Sequence, residues 1–188
     1  MTAGIDERPS PADQRLPNIA IMTTTHSDPE ARLSQLGLTL PAAPKPVAAY
    51  IPTRRTGNLV FVSGQVPVVP GPDGKPQAMA RGPVPSQVSI ETAQQCARQC
   101  VLNGLAVLKA AVGSLNAVKQ VVRVGVFVCS DAGFADQPKV ANGASELLVE
   151  IFGPAGQHAR AAVGSIALPL GVPVEIEFLF EIDSACAS

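Results

Sequence analysis

The clearest hydrophobic pattern in the chain is a helical repeat between Ser89 and Val112. Its apolar residues fall on one helical face. Ser89 is a suitable N-cap, Glu91 stands in the first turn and Gly113 is a stop signal. The apolar positions are Ile90, Ala93, Ala97, Val101, Leu105 and Leu108. This segment is predicted to be a long helix with one buried face.

Two further helices are predicted from weaker patterns. One extends from about residue 137 to 152 and ends at Gly153 and Pro154. The other is short, covers residues 29–37 and has Asp28 as its cap.

The remaining apolar segments have the composition or the alternation of β-strands. They cover residues 50–52, 58–64, 118–129, 161–167 and 172–182. A turn at Thr56 and Gly57 joins the first two, and their continuous apolar run predicts a hairpin buried on both faces. In the last strand apolar and acidic residues alternate, which predicts one buried face. Residues 69–87 contain five prolines and three glycines and are predicted to form a long connection without regular structure.

The predicted order ββαβαββ indicates an α/β (α+β) fold with a mixed sheet. Both helices would cover the same face, so the other face needs a cover of its own. Residues 1–28 lack usable periodicity and are predicted to be a flexible tail. Residues 29–188 have a length that suits a single domain.

Composition narrows the class of protein. Hydrophobic residues make up 46% of the chain and charged residues 15%, a balance that favours oligomerisation. The net charge of −1 gives no support for a nucleic-acid partner. No apolar stretch is long enough for a signal peptide or a membrane span, so we expect a cytoplasmic protein without membrane contact. The four cysteines have no metal-ligand spacing, and Cys96 and Cys100 are predicted to be small core residues.

Arg160 is the most informative candidate functional residue. It opens a long stretch without other charges, and its planar guanidinium suits a carboxylate. Glu175 follows fifteen residues later, on a strand that is predicted to lie beside the strand of Arg160. Two interpretations stay open: a structural ion pair between them, or a substrate anchor with a separate acid/base group. Glu177 and Glu181 are interpreted as solvated or interface charges.

Three collinear motifs carry a family resemblance. SGQVPV begins at Ser63, thirteen residues after Tyr50; VANGASELL covers residues 140–148; and HARAAVGSIALPLGVPVEIEF covers residues 158–178. Together they resemble the RidA (YjgF) family of imine deaminases over roughly residues 45–182. The resemblance implies a chorismate-mutase-like fold that assembles as a homotrimer with sites between subunits.

The resemblance also implies a reaction and a set of site residues. Reactive 2-imino or enamine acids would be hydrolysed to 2-keto acids and ammonia, without a cofactor or metal. Arg160 would hold the substrate carboxylate, and Glu175 would position or deprotonate a water molecule. The implied substrate-binding residues are Tyr50, Ser63, Gly64 and Asn142. His158 matches no family site and is given no role.

Several alternatives remain open at this point. Tyr50 could be a core aromatic residue and Asn142 a helix cap. Other functions are an endoribonuclease or translation inhibitor, or a non-catalytic sensor of a keto or amino acid. Ala162 and Gly164 stand where the family often has cysteine and an acidic residue. These departures indicate a divergent branch with its own substrate preference.

Overall fold

The computed structural model describes residues 28–43 and 49–184 of the 188-residue chain. The predicted tail, residues 1–28, lies outside these ranges except for Asp28. In chain order the elements are α1 (Pro29–Gln35), β1 (Thr53–Thr56), β2 (Leu59–Gln65), β3 (Val68–Pro70), β4 (Pro76–Ala78), α2 (Ile90–Val112), β5 (Val118–Cys129), α3 (Gln137–Phe152), β6 (Ala159–Ser165) and β7 (Val174–Ile182).

Five strands form a mixed sheet in the order β1-β2-β7-β5-β6. β5 and β6 are parallel, and the other neighbouring strands are antiparallel. α2 and α3 pack together and cover one face of the sheet. The predicted ββαβαββ order with two helices on one face is confirmed. The opposite face, called the open face below, carries Phe61, Phe127, Val163, Glu175 and Glu177.

β7 shows why only one face of the sheet is buried. Its burial alternates strictly along the strand, as the sequence predicts. The residues beneath the helices are Val174, Ile176, Phe178 and Phe180, and all four are buried. Between them stand Glu175, Glu177, Leu179 and Glu181, which are partly exposed on the open face.

The core lies between the sheet and the two long helices. Its largest fully buried side chains include Phe152, Phe180, Leu105, Leu147 and Ile176. Cys96 and Cys100 are free and buried in this core, as predicted, and burial raises the pKa of Cys96 to about 11. Their thiols therefore stay protonated and pack as small apolar groups.

The capping signals of α2 act as the sequence predicts. The Ser89 side chain accepts a hydrogen bond from the backbone N–H of Thr92 at 3.1 Å, and Gly113 ends the helix with φ of +88°. Within residues 28–43 and 49–184, every helix is too short or too polar to cross a membrane.

α2 and α3 approach each other closely at Gly143. A Cβ added to Gly143 would overlap the backbone carbonyl of Gln94 and lie 2.9 Å from its Cα. The Gln94 side chain also donates to the backbone carbonyl of Lys139 at 2.8 Å. The absence of a side chain at Gly143 therefore sets the distance between the two helices.

α1 is anchored by the carboxylate of Glu30. It accepts hydrogen bonds from Lys109 Nζ at 2.8 Å, Ser114 Oγ at 2.7 Å and Leu115 N at 2.9 Å. These donors, Lys109 foremost, lower the pKa of Glu30 to about 2 because they stabilise its ionised form. Asp28 caps the helix by accepting from Ala31 N at 2.8 Å, as predicted.

The first hairpin differs from the prediction in two ways. Its first strand is Thr53–Thr56 and not residues 50–52, which form a bend. The hairpin is also buried on one face only: Val60 and Val62 face the helices, while Phe61 remains 46% exposed. The prediction of two buried faces was wrong because only one face of this strand packs against helices. A continuous run of apolar residues does not show which face of the strand the helices cover.

The proline-rich connection over residues 69–87 contains regular structure that the sequence analysis missed. β3 and β4 pair into a separate two-stranded sheet with Val68 opposite Ala78. The turn between them has Gly74 at φ of +75°, and Asp73 accepts from the backbone N–H of Lys75 at 3.0 Å. Prolines are tolerated here because both strands are short and the prolines stand at their ends: Pro70 is the last residue of β3 and Pro76 the first of β4.

Candidate active site

Arg160 lies on β6, with its side chain directed towards α3. Its Nη1 donates to Asn142 Oδ1 at 2.9 Å and to Ser145 Oγ at 3.0 Å. Its Nη2 lies 3.5 Å from the carbonyl oxygen of Pro138. Pro138, Asn142 and Ser145 share one face of α3 because they are spaced four and three residues apart. The structure therefore brings together two of the predicted site residues, Arg160 and Asn142.

The guanidinium of Arg160 is held on one side and open on the other. Both hydrogens of Nη1 have acceptors on α3, whereas Nε–H and one hydrogen of Nη2 donate to no group among the described residues. Arg160 is exposed, and no carboxylate of the described residues pairs with it. The remaining neighbouring donors suit the two oxygens of a carboxylate.

Asn142 does not cap a helix, so that alternative was wrong. It lies in the second turn of α3, whose N-cap residue is Asp136. Its side-chain oxygen is used as the acceptor for Arg160.

Ser145 and His158 belong to the same polar cluster and were not assigned a role from the sequence. His158 Nε2 lies 3.0 Å from Ser145 Oγ, and His158 Nδ1 lies 2.6 Å from the carbonyl oxygen of Gly156. Burial lowers the pKa of His158, and the charge of Arg160 lowers it further. The position of Ser145, one helical turn after Asn142, is the signal from which it could have been found.

Glu175 lies on the open face, beside the backbone of Gly64. A Cβ added to Gly64 would overlap Oε1 of Glu175, so the carboxylate occupies the space that a side chain at position 64 would take. Glu175 is half-buried; burial raises its pKa, and the charge of Glu177 raises it further. A carboxyl group with a raised pKa can exchange protons closer to neutral pH than an exposed one. Glu175 and Gly64, both predicted site residues, are therefore in contact.

Ser63 directly precedes Gly64 on β2. The Ser63 hydroxyl donates to the backbone carbonyl of Ile51 at 3.0 Å, which ties β2 to the segment that contains Tyr50. Tyr50 itself is 48% exposed just before β1, so the alternative of a core aromatic residue was wrong. A cavity of about 310 Å³ opens next to Ser63 on the open face, with Phe61, Arg123 and Glu177 in its wall.

The other two glutamates of β7 are paired. Arg123 contacts Glu177 at 2.9 Å, and Lys119 contacts Glu181 at 3.3 Å. Both pairs are substantially exposed, so solvent screens them and each stabilises the fold only slightly.

Arg160 and Glu175 do not form the ion pair that the sequence left open. Their strands are not neighbours, because β5 lies between β6 and β7. On β5, Arg160 is opposite Val124 and Glu175 is opposite Phe127. Since successive strand residues point to opposite faces, Arg160 is on the helix side and Glu175 on the open face. One chain thus holds two separate groups, Arg160 with Asn142 and Glu175 with Gly64, called half-sites below.

Within the described ranges, no group of three or more His, Cys, Asp or Glu side chains is arranged to hold a metal ion.

Comparison with known protein families shows to which family the chain belongs. The family model described as "YjgF/chorismate mutase-like, putative endoribonuclease" matches residues 30–181. The chain belongs to the YjgF (RidA) family. The three motifs that resembled this family all lie within the matched range.

Curated relatives of this YjgF-family chain have different names. Protein TCP17 of Trypanosoma cruzi is 38% identical over 155 residues, which cover 82% of this chain and 94% of that protein. A protein of Dermatophagoides farinae named 2-iminobutanoate/2-iminopropanoate deaminase is 28% identical over 146 residues, covering 78% of this chain and 95% of that protein.

Solved structures of the family share the fold. The protein Atu1372 of Agrobacterium tumefaciens, whose function is described as unknown, is 41% identical with a TM-score of 0.73; the match covers 83% of this chain and 94% of that chain. E. coli TdcF, solved with bound serine, is 26% identical with a TM-score of 0.52, covering 75% of this chain and 94% of that chain.

Proposed function

We propose that this protein hydrolyses reactive 2-imino acids, or their enamine forms, to 2-keto acids and ammonia. The observation that carries the proposal is the Arg160 guanidinium, exposed and held by α3 with neighbouring donors left for a carboxylate. The D. farinae relative named as such a deaminase supports this choice of reaction.

The proposed mechanism begins with the substrate carboxylate. Arg160 binds its two oxygens through Nε and Nη2, while Asn142 and Ser145 keep Nη1 in place. This grip fixes the imine carbon relative to the rest of the site. Holding the substrate in this way lowers the entropic cost of bringing the imine carbon and the attacking water into the reactive geometry.

Glu175 supplies the proton transfers. Its ionised form accepts a proton from water as the water oxygen bonds to the imine carbon, and the C=N bond becomes a single bond to nitrogen. Glu175 then returns the proton to that nitrogen, which gives a carbinolamine with a hydroxyl and an amino group on the same carbon. Glu175 next takes the hydroxyl proton and passes it to the amino nitrogen as the C–N bond breaks, so that C=O forms and ammonia leaves. The raised pKa of Glu175 suits both steps, because the carboxyl group holds a proton more readily than an exposed carboxyl group does.

The proposed site needs a second copy of the chain. Arg160 is at the β6 edge on the helix side, and Glu175 is on the open face, so one chain does not unite them. The open face and its rim carry exposed apolar side chains, including Phe61, Val163 and Ile166 at 46%, 47% and 99% exposure. We therefore propose an assembly of identical chains in which the Arg160 half-site of one subunit faces the Glu175 half-site of its neighbour; the resemblance to the RidA family makes a homotrimer the expected form.

The first experiment measures imine hydrolysis directly. An amino-acid oxidase generates imines in situ, semicarbazide traps those that survive, and the trapped product is compared with and without the protein. Arg160→Ala is expected to lower kcat/KM about 100-fold, since two charge-assisted hydrogen bonds are lost. Arg98→Ala is the matched control, because Arg98 pairs with Glu150 on the helix layer.

A folded protein without activity on a panel of imines would contradict the proposed reaction. The second candidate would then be a non-catalytic binder of a keto or amino acid at Arg160. The TdcF structure with bound serine favours this candidate, because serine carries the same carboxylate. Arg160-dependent ligand binding without turnover would establish it.

A further inference from the structure

His158, Ser145 and Arg160 form a hydrogen-bonded chain with a defined direction. His158 Nδ1 lies 2.6 Å from the Gly156 carbonyl, which can only accept, so Nδ1 carries the ring proton. In the neutral ring, Nε2 is then an acceptor. It accepts the hydroxyl hydrogen of Ser145 at 3.0 Å.

The direction of these hydrogen bonds determines which part of the Ser145 hydroxyl faces Arg160. With its hydrogen turned towards His158, the Ser145 hydroxyl presents a lone pair to Arg160 Nη1 at 3.0 Å. Without an acceptor at position 158, the hydroxyl could rotate and direct its hydrogen elsewhere, including towards the guanidinium. Asn142 would then be the remaining side-chain acceptor for Nη1.

The surroundings of His158 favour the neutral ring. The groups that face it are the uncharged Ser145 on α3, the Gly156 carbonyl after α3, and the cationic Arg160 on β6. Burial lowers the pKa of His158, and the charge of Arg160 acts in the same direction; together they outweigh the hydrogen bond to the Gly156 carbonyl, which raises the pKa. The ring therefore stays an acceptor for Ser145 near neutral pH.

We infer that His158 is a positioning residue that acts through the Ser145 hydroxyl to hold Arg160 in the orientation that binds a substrate carboxylate. This inference rests on the proposed function, in which Arg160 is the carboxylate anchor. It gives a role to a histidine that touches neither the reacting carbon nor the carboxylate.

The test measures binding of 2-oxobutanoate, a 2-keto acid, by titration calorimetry of the assembled protein. His158→Phe keeps an aromatic ring and removes the acceptor, so its affinity is expected to fall about fivefold. Ser145→Ala interrupts the same chain and is expected to produce a similar loss. His158→Gln retains an acceptor near the position of Nε2 and is expected to stay within about twofold of wild type.

The kinetic counterpart is a rise in KM for the imine with little change in kcat, because His158 does not take part in proton transfer. Thermal melting of each variant separates loss of fold from loss of positioning. If His158→Phe binds as wild type does, or if His158→Gln binds as poorly as His158→Phe, the inference is wrong.

Binding of 2-oxobutanoate by the Arg160→Ala variant distinguishes a failure of this inference from a failure of the proposed function. If Arg160→Ala abolishes 2-oxobutanoate binding while His158→Phe leaves it unchanged, the inference fails and the carboxylate anchor stands. If Arg160→Ala binds normally, the anchor itself fails, and the role of His158 with it. A nitrogen NMR spectrum that assigns the neutral ring proton to Nε2 would also contradict the inference, since Ser145 would then be an acceptor for His158.

Discussion

Glu175 is the residue at which pH should act on stability and activity in opposite ways. Its folded-state pKa is raised above 4.5, the usual value, so ionisation opposes folding. The stability that its neutral form provides is complete below 4.5 and is lost as the pH rises through the raised folded pKa. Glu175→Gln should therefore melt at or above the wild-type temperature at pH 8, with the difference vanishing near pH 4.

The same substitution should lower kcat by about 100-fold or more, because an amide cannot accept the proton from water. Glu181→Gln is the matched control, because Glu181 stands on the same face of β7 and is paired with Lys119. A melting temperature of Glu175→Gln well below that of wild type at pH 8 would show that the ionised carboxylate stabilises the fold.

At the residue scale, the sequence predicted which residues belong to the candidate site better than it predicted which of them touch each other. Arg160 with Asn142, and Gly64 with Glu175, were all proposed from the motifs and are in contact as two pairs. Ser145 escaped notice because serine on a helix has many ordinary uses. Its acceptor role depends on a turn of α3 meeting β6, and no local pattern encodes that contact.

At the scale of elements, the contact between α2 and α3 gives a direct prediction. Gly143→Ala would place a Cβ against the backbone of Gln94, which cannot move aside as a flexible side chain can. We expect a loss of about 2 kcal/mol in the free energy of unfolding, although alanine favours helices more than glycine does. Urea denaturation measures this change.

Gly113→Ala does not serve as a control, because Gly113 has a positive φ. Glu146→Ala is better suited, since Glu146 lies on the same helix with an exposed side chain. Equal or greater stability of Gly143→Ala would mean that the two helices can separate without loss of packing.

The sequence predicted the positions of those helices and strands whose hydrophobic pattern extends over many residues. α2, α3, β5 and β7 match their predicted positions because capping residues and alternation are local signals. The order of strands across the sheet is not local: β5 lies between β6 and β7, which separates the strands of Arg160 and Glu175. The prediction that the strands of these two residues lie side by side was wrong for that reason.

At the scale of the whole molecule, the two half-sites predict complementation between inactive variants. When Arg160→Ala and Glu175→Gln chains are co-expressed in equal amounts, some interfaces combine an intact Arg160 with an intact Glu175. Random assembly with one site per interface should restore about a quarter of wild-type activity. The readout is imine hydrolysis by mixed oligomers of verified mass.

A control mixture pairs Arg160→Ala chains with chains that carry both substitutions, which never supply an intact Arg160. It should remain inactive. If the mixed single variants also remain inactive although they form trimers, both residues of a site come from one chain, and the proposed arrangement of the half-sites is wrong.

The placement of Arg160 and Glu175 on opposite faces has a consequence for dilution. If a complete site exists only between chains, the rate per chain is not constant but falls once the concentration drops below the dissociation constant of the assembly. A newly made chain would be inert until it met its partners, and turnover would start only above a threshold of abundance. The proposed activity would then depend on the concentration of the protein itself as well as on that of its substrate.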